Sequence, residues 1–262
     1  MTYHVTIEPR TLHFKQPAGT SRGVYNIRQS WFITITSPEQ PDRKGVGECA
    51  PLPDLSCDAI PEYERILYSV CNMFGLTGKI NHDMLRPYPS ILFGLETALL
   101  SFESGSDVLF DTPFARGEEG IPINGLVWMG SYDEMLSRLE NKMMAGFRCV
   151  KLKIGAIDFD KELDLIRHIR SAFTKDQIEL RVDANGGFTP DNAMERLEQL
   201  ARFDIHSIEQ PIRQHQWADM SRLCKESPMP IALDEELIGV NDLSMKEQLL
   251  DTIRPQYIIL KP

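Results

Sequence analysis

Two lysines lie two residues apart in the segment "CVKLKIG", residues 149–155. Aliphatic residues alternate with Lys151 and Lys153, and this period of two predicts a β-strand with one apolar face and one cationic face. If the strand is half exposed, the lysines are solvated and carry no function. If it is buried on both faces, the two ammonium groups require carboxylates, a metal or an anionic substrate beside them.

Charged residues recur downstream at a nearly constant interval. The spacing is 26 positions from Asp183 to Glu209, 25 from Glu209 to Asp234, and 27 from Asp234 to Lys261. One strand followed by one helix has about this length. We therefore expect each of these residues at the carboxyl end of a successive strand, where their side chains would converge.

Converging carboxylates suggest a metal site. Three such groups would repel one another and bind protons unless a cation lay between them. A single acid at a strand end is more often a helix cap or a loop charge, but three in register fit that interpretation poorly. Oxygen ligands without histidine or cysteine favour Mg²⁺ or Mn²⁺ over zinc. The predicted metal ligands are Asp183, Glu209 and Asp234.

The elements that would position these residues alternate between strand and helix. The pattern runs from the strand "PINGLVWM" (122–129) to the strand "QYIILKP" (256–262), with helices that begin after Ser131 and Thr189 as N-caps. Six strands joined by helices predict a parallel sheet. Nearly equal modules, and a first turn without GxGxxG, favour an α/β fold of the (β/α) barrel type, whose active site lies at the carboxyl ends of the strands.

The N-terminal part has a different pattern. Residues 1–115 read as a compact α+β domain, and we place the barrel domain at 116–262. The polar stretch 15–29 predicts a loop between two strands. Within it, the segment from about residue 19 to 29 is predicted to be a mobile flap over the barrel mouth. Arg22 and Arg28 of this flap would either meet an anionic substrate or be solvated.

Composition limits the partners. The 262 residues carry a formal net charge of −10, which disfavours binding to nucleic acid or to an anionic membrane. We find no apolar run near the ~20 residues of a membrane span and no signal-peptide pattern. The sequence does not indicate an oligomeric state. An odd number of cysteines without CxxC spacing predicts free thiols and a cytoplasmic location; they are Cys49, Cys57, Cys71, Cys149 and Cys224.

In combination and order, these motifs resemble the enolase superfamily, specifically its muconate-lactonizing-like branch. The first 115 residues resemble the capping domain of that family, and the rest resembles its modified barrel. Within the branch, "GECAPLPDLS" (47–56) and "RVDANGGFT" (181–189) are most similar to the o-succinylbenzoate synthases of menaquinone biosynthesis. The matching segments are "KLK" (151–153), "DAN" (183–185), "IEQP" (208–211), "LDE" (233–235) and "LKP" (260–262).

The resemblance implies a Mg²⁺-dependent lyase acting on a small carboxylate. It implies that Lys153 removes the proton next to the carboxylate and then protonates the departing hydroxyl group. Lys261 would stabilise the negative charge from the opposite side. Lys151 would tune Lys153 or contact the substrate carboxylate, and Asn185 and Glu235 would support the metal ligands and the base.

Two features depart from the family pattern. Glu236 occupies a position where many relatives carry serine, and only six strands are visible where a complete barrel has eight. We therefore expect a barrel that lacks its C-terminal part.

Two alternative functions stay open. One is a dipeptide epimerase or N-acylamino acid racemase, in which Lys261 would be a second base. The other is a catalytically silent barrel fragment. The retention of all six charged positions argues against the silent fragment.

Overall fold

The chain divides into two compact units, Met1–Ile121 and Pro122–Lys261. Within the described ranges, no helix combines the length and the apolar character needed to cross a membrane. A computed structural model describes residues 1–20, 23–128, 130–155 and 158–261.

The first unit is a three-stranded antiparallel sheet covered by helices. Its helix α3 packs directly on β3, because Gly45 and Gly47 have no side chains to separate the two elements. A Cβ atom on Gly47 would lie 1.9 Å from the carbonyl oxygen of Gly94, so only glycine fits there. The elements are β1 (His4–Thr20), β2 (Gly23–Ser37), β3 (Gln40–Cys49), α1 (Tyr63–Thr77), α2 (His82–Leu85) and α3 (Pro89–Ser104).

The predicted loop at residues 15–29 is wrong for the residues that the structure describes. Strands β1 and β2 continue through it as a hairpin, whose last described pair is Thr20 and Gly23, with a register shift between His13 and Ala18. Backbone hydrogen bonds hold such a hairpin whether or not a face is buried, so its polar composition resembled that of a loop. The flap stays a prediction, and Arg22 lies outside the described residues.

The second unit confirms the predicted parallel sheet with alternating helices. All neighbouring strands pair in parallel, in the order in which they occur in the chain. The strands are β4 (Gly125–Val127), β5 (Cys149–Lys153), β6 (Glu179–Asp183), β7 (Ser207–Glu209), β8 (Ile231–Leu233) and β9 (Tyr257–Ile258). The helices are α4 (Tyr132–Met144), α5 (Phe159–Ala172), α6 (Pro190–Ala201), α7 (Trp217–Glu226) and α8 (Leu243–Ile253).

Local sequence signals set the ends of these helices. Ser131 caps α4 in a reciprocal pair with Glu134, whose side chain accepts the Ser131 backbone N–H at 2.8 Å. Thr189 precedes Pro190 at the start of α6, and its N–H donates to the side chain of Asn192 at 2.9 Å. Both predicted N-caps are therefore confirmed.

The pleat of the strands separates the aliphatic residues from the charged ones. Val150 and Leu152 of β5 are fully buried in the core between sheet and helices, as are Leu180 of β6 and Ile208 of β7. The residues between them in sequence occupy the other face of the sheet. Burial of the aliphatic face thus fixes which face the charged residues occupy.

Candidate active site

Strand register brings the predicted residues level with one another. Lys153 of β5 pairs with Asp183 of β6, and Asp183 pairs with Glu209 of β7. On β8, Ala232 pairs with Glu209, so Asp234 lies two residues further towards the carboxyl end. The interval of 26 residues between Asp183 and Glu209 therefore corresponds to direct neighbours in the sheet.

Both lysines of β5 contact buried carboxylates. The Nζ atom of Lys153 lies 2.5 Å from Asp183 Oδ2, and that of Lys151 lies 3.2 Å from the same oxygen. Lys151 also donates to Glu209 Oε2 at 2.9 Å. Asp183 is fully buried and Glu209 is 5% exposed. The buried alternative for the two lysines is therefore the correct one.

Lys261 pairs with Asp234 towards the edge of the sheet that lies opposite β4 and β5. The chain after β9 continues alongside β8, since the N–H of Ile259 donates to the carbonyl of Leu233 at 2.8 Å. This continuation brings Lys261 Nζ to Oδ1 of Asp234, which is buried, while the lysine is half exposed. The carboxylates thus lie in a line with a cation at each end.

Asn185 links Lys153 to Glu235. Its backbone has a φ of 45°, in the left-handed region, which turns the side chain back towards β5. Its Oδ1 accepts from Lys153 Nζ at 2.8 Å, and its Nδ2 donates to Glu235 Oε1 at 3.0 Å. The buried Glu235 therefore fixes the orientation of the amide that contacts the lysine.

Burial and neighbouring charges shift the pKa values of the ionisable groups in the site. Burial and the neighbouring Asp183 raise the pKa of Glu209 to about 8. Burial acts to raise the pKa of Asp183 as well, but Lys153 and Lys151 outweigh it and the pKa is lowered. Burial acts to lower the pKa of Lys151, but the charges of Asp183 and Glu209 prevail and raise it.

The carboxylates of Asp183, Glu209 and Asp234 have the chemistry to bind a hard cation. In the described residues, however, their side chains do not come together around one point. In the part of the chain that the structure describes, no three His, Cys, Asp or Glu side chains come together as a metal-holding cluster. Asp183 and Glu209 are adjacent, while Asp234 is paired with Lys261. Carboxylate oxygens without histidine or cysteine are the donors that Mg²⁺ prefers, and such an ion would supply positive charge beside the buried Asp183 and Glu209.

Gln210 and Glu236 are buried polar residues to which the sequence analysis assigned no role. Gln210 is fully buried, and Glu236 is 1% exposed. Glu236 Oε1 accepts the backbone N–H of His215 at 2.8 Å, and its Oε2 accepts from Gln210 Nε2 at 3.2 Å. The position of Gln210 directly after Glu209, at the end of a buried strand, was a sequence signal that could have revealed it.

Arg28, which the flap hypothesis includes, belongs to the first unit. Its guanidinium group donates to the carbonyl oxygen of Ala50 at 3.1 Å. A second contact ties the same hairpin to the segment after β3, since Tyr25 donates to Asp54 Oδ2 at 2.9 Å. These bonds give Arg28 a structural role within its own unit.

Comparison with known proteins supports the reading of the motifs. The family model "Enolase C-terminal domain-like" matches residues 134–256. The o-succinylbenzoate synthase of Desulfotalea psychrophila is 42% identical to the chain over an alignment of 286 positions, which covers 96% of this chain and 76% of that protein.

Solved structures share the fold of this chain. MenC from Desulfotalea psychrophila has a TM-score of 0.81 and 37% identity, covering 100% of this chain and 79% of that one. The o-succinylbenzoate synthase of Thermosynechococcus elongatus, complexed with Mg in its active site, has a TM-score of 0.76 at 22% identity, covering 100% and 76%. At 22% identity, the similarity to the second structure is evidence for the fold alone. The chain spans about three quarters of the length of these relatives.

Proposed function

Because the chain belongs to the enolase superfamily, we propose that it is an o-succinylbenzoate synthase, a lyase of menaquinone biosynthesis. The substrate would be a small carboxylate whose α-proton is removed and whose β-hydroxyl group leaves as water. The identity of 42% over almost the whole chain supports this reaction over others of the superfamily.

One observation carries the catalytic assignment. Lys153 and Lys261 lie at opposite ends of a line of buried carboxylates, and each ammonium group contacts one of them. A substrate carboxylate bound between the lysines would have a base on one face and a positive charge on the other. This is the arrangement that proton removal next to a carboxylate requires, since the reaction develops negative charge on the oxygens.

We assign the proton transfers to Lys153. As a base it must first lose its own proton, and Lys151 lies beside it as a second cation that contacts the same oxygen, Asp183 Oδ2. The resulting ammonium group of Lys153 could return the proton to the departing hydroxyl group. Lys261 would remain charged and stabilise the developing negative charge, while Asn185 holds the Lys153 amine in place.

We propose that Asp183, Glu209 and Asp234 hold Mg²⁺ or Mn²⁺. The bound ion would neutralise the substrate carboxylate and so acidify its α-proton. The oxygen-only donors and the raised pKa of Glu209 support this assignment. Binding of the ion would also require Asp234 to exchange its contact with Lys261, which frees that lysine to face the substrate.

The experiment compares two chemistries in D₂O. The chain is assayed with the cyclohexadiene carboxylate substrate of the synthases and with a panel of dipeptides. We expect dehydration of the former, with an aromatic product that has no α-hydrogen to label. An epimerase would instead incorporate deuterium at the α-carbon of a dipeptide. Turnover of dipeptides alone would contradict the proposal, and no turnover with either set would favour the silent fragment.

The thiols suit a reducing compartment. Cys49, Cys71, Cys149 and Cys224 are free thiols. Free thiols persist in the cytoplasm, where glutathione and thioredoxin keep them reduced. We therefore propose that the enzyme works there.

A further inference from the structure

The side chain of Gln210 makes four hydrogen bonds at the ends of β7 and β8. Its Oε1 accepts the backbone N–H groups of Asp234 at 3.1 Å and Glu236 at 3.2 Å. Its Nε2 donates to the carbonyl of Ile212 at 3.0 Å and to Glu236 Oε2 at 3.2 Å. Both lone pairs and both N–H groups of the amide are therefore used.

Glu236 determines which way the Gln210 amide faces. A carboxylate only accepts hydrogen bonds, so the amide must turn its NH₂ group towards Glu236 and its oxygen towards the backbone N–H groups. Rotating the amide by half a turn would oppose donors to donors and acceptors to acceptors. Glu236 is itself fixed by the backbone N–H of His215.

The backbone at Gln210 has a strained conformation, which places the side chain where it makes these hydrogen bonds. Its φ is 40°, a left-handed value. Any residue other than glycine loses free energy in this conformation. This turn follows directly after Glu209 and sends the Gln210 side chain beneath the end of β8. A strained turn that persists next to Glu209 must be held by its surroundings, and the four buried hydrogen bonds do so.

We propose that Gln210 and Glu236 are positioning residues for the metal ligand Asp234. Gln210 anchors the backbone N–H of Asp234 to the residue that follows Glu209, so the two carboxylates keep a fixed separation. Glu236 acts through Gln210 by setting its orientation. The inference rests on the proposed function, in which Asp183, Glu209 and Asp234 hold Mg²⁺.

A reciprocal exchange of the two side chains tests this role. Gln210→Glu places a second carboxylate against Glu236, and Glu236→Gln turns an NH₂ group towards a donor. We expect each single variant to bind Mg²⁺ at least roughly ten-fold more weakly by calorimetry, as is common when the support of a metal ligand is lost. The double variant restores a donor–acceptor pair between the two side chains and should recover much of the affinity. The recovery is incomplete because the carboxylate at position 210 faces the carbonyl oxygen of Ile212, to which the wild-type amide donates.

Leu200→Ala provides the control for general destabilisation. Leu200 is fully buried in α6 and makes no contact that the proposal uses, so this variant should be less stable and bind Mg²⁺ normally. If both single variants bind Mg²⁺ as tightly as the wild type, the positioning role is wrong. If Gln210→Glu fails to fold, the variant Glu236→Gln, which keeps the size of the side chain, decides alone.

The same titration separates this inference from the function it rests on. A wild-type chain that binds no Mg²⁺ would overturn both. A wild-type chain that binds Mg²⁺, with single variants that match it, would overturn the positioning role and leave the proposed function standing. Weak binding in both single variants without recovery in the double variant would also contradict the orientation argument.

Discussion

Lys151 and Lys153 direct their ammonium groups at the same oxygen, Oδ2 of Asp183, from 3.2 and 2.5 Å. Only Lys153 also contacts Asn185, while Lys151 also contacts Glu209. The two lysines therefore share one carboxylate but differ in their second partner. This difference separates a candidate base from a residue that balances the charge of the carboxylates.

We expect the two lysines to respond unequally to substitution. Lys153→Ala should abolish exchange of the substrate α-proton and turnover, because it removes the base. Lys151→Ala should reduce the rate less, because it removes an electrostatic contribution. Rates of proton exchange, followed by nuclear magnetic resonance, measure both effects. The exposed Lys161 on α5 supplies the control Lys161→Ala, which should be unaffected. Near-normal turnover in Lys153→Ala would refute the assignment.

Asp234→Asn should weaken Mg²⁺ binding by at least about ten-fold, since an amide is a poorer ligand for a hard cation than a carboxylate. The variant keeps the size of the side chain and releases Lys261 from its ion pair. Isothermal calorimetry gives the affinity. Asp251→Asn, at an exposed position of α8, is the matched control and should bind normally. An unchanged affinity in Asp234→Asn would remove Asp234 from the ligand set.

The raised pKa of Glu209 predicts a pH dependence of stability. The folded chain keeps a proton on Glu209 up to about pH 8, whereas an unfolded chain loses it near pH 4.5. Between these values the unfolded state binds fewer protons, so the free energy of unfolding should fall as pH rises. The fall should be on the order of a few kcal/mol and should be smaller in Glu209→Gln.

Urea unfolding between pH 5 and 8.5, with a chelator present, measures this dependence. The lowered pKa of Asp183 acts below about pH 4, and the raised pKa of Lys151 acts above about pH 10, so neither interferes in this window. Glu198→Gln, at an exposed position of α6, is the control and should follow the wild type. Parallel curves for wild type and Glu209→Gln would contradict the prediction.

Gly47→Ala should destabilise the first unit. The added Cβ would lie 1.9 Å from the carbonyl oxygen of Gly94, so α3 must move away from β3. Overpacking of this kind costs about 1–3 kcal/mol or more. Gly120→Ala is the matched control, because a Cβ there has no neighbour within 4 Å. Chemical unfolding followed by circular dichroism compares the two; equal stabilities would show that α3 adjusts freely.

Sequence spacing predicted the positions of those candidate site residues that are determined by the register of the strands. Asp183 and Glu209 end consecutive strands of a parallel sheet, and their alternation with aliphatic residues fixes the face they occupy. The partners of Gln210 and Glu236 were not predictable in this way, because they depend on a left-handed turn and on the rotamers of two buried side chains. The length of the β1–β2 hairpin was missed because exposed strand and loop have similar compositions.

The register of the charged residues has a consequence for insertions and deletions. Lys153 and Asp183 are 30 positions apart and Asp183 and Glu209 are 26 apart, yet both pairs are direct neighbours in the sheet. The connection that contains α5 is two residues longer than the one that contains α6, and strand β6 is two residues longer than β7. Such connections can therefore gain or lose residues without moving the site. Within β5, the deletion of a single residue would exchange the two faces and turn Lys151 towards the helices.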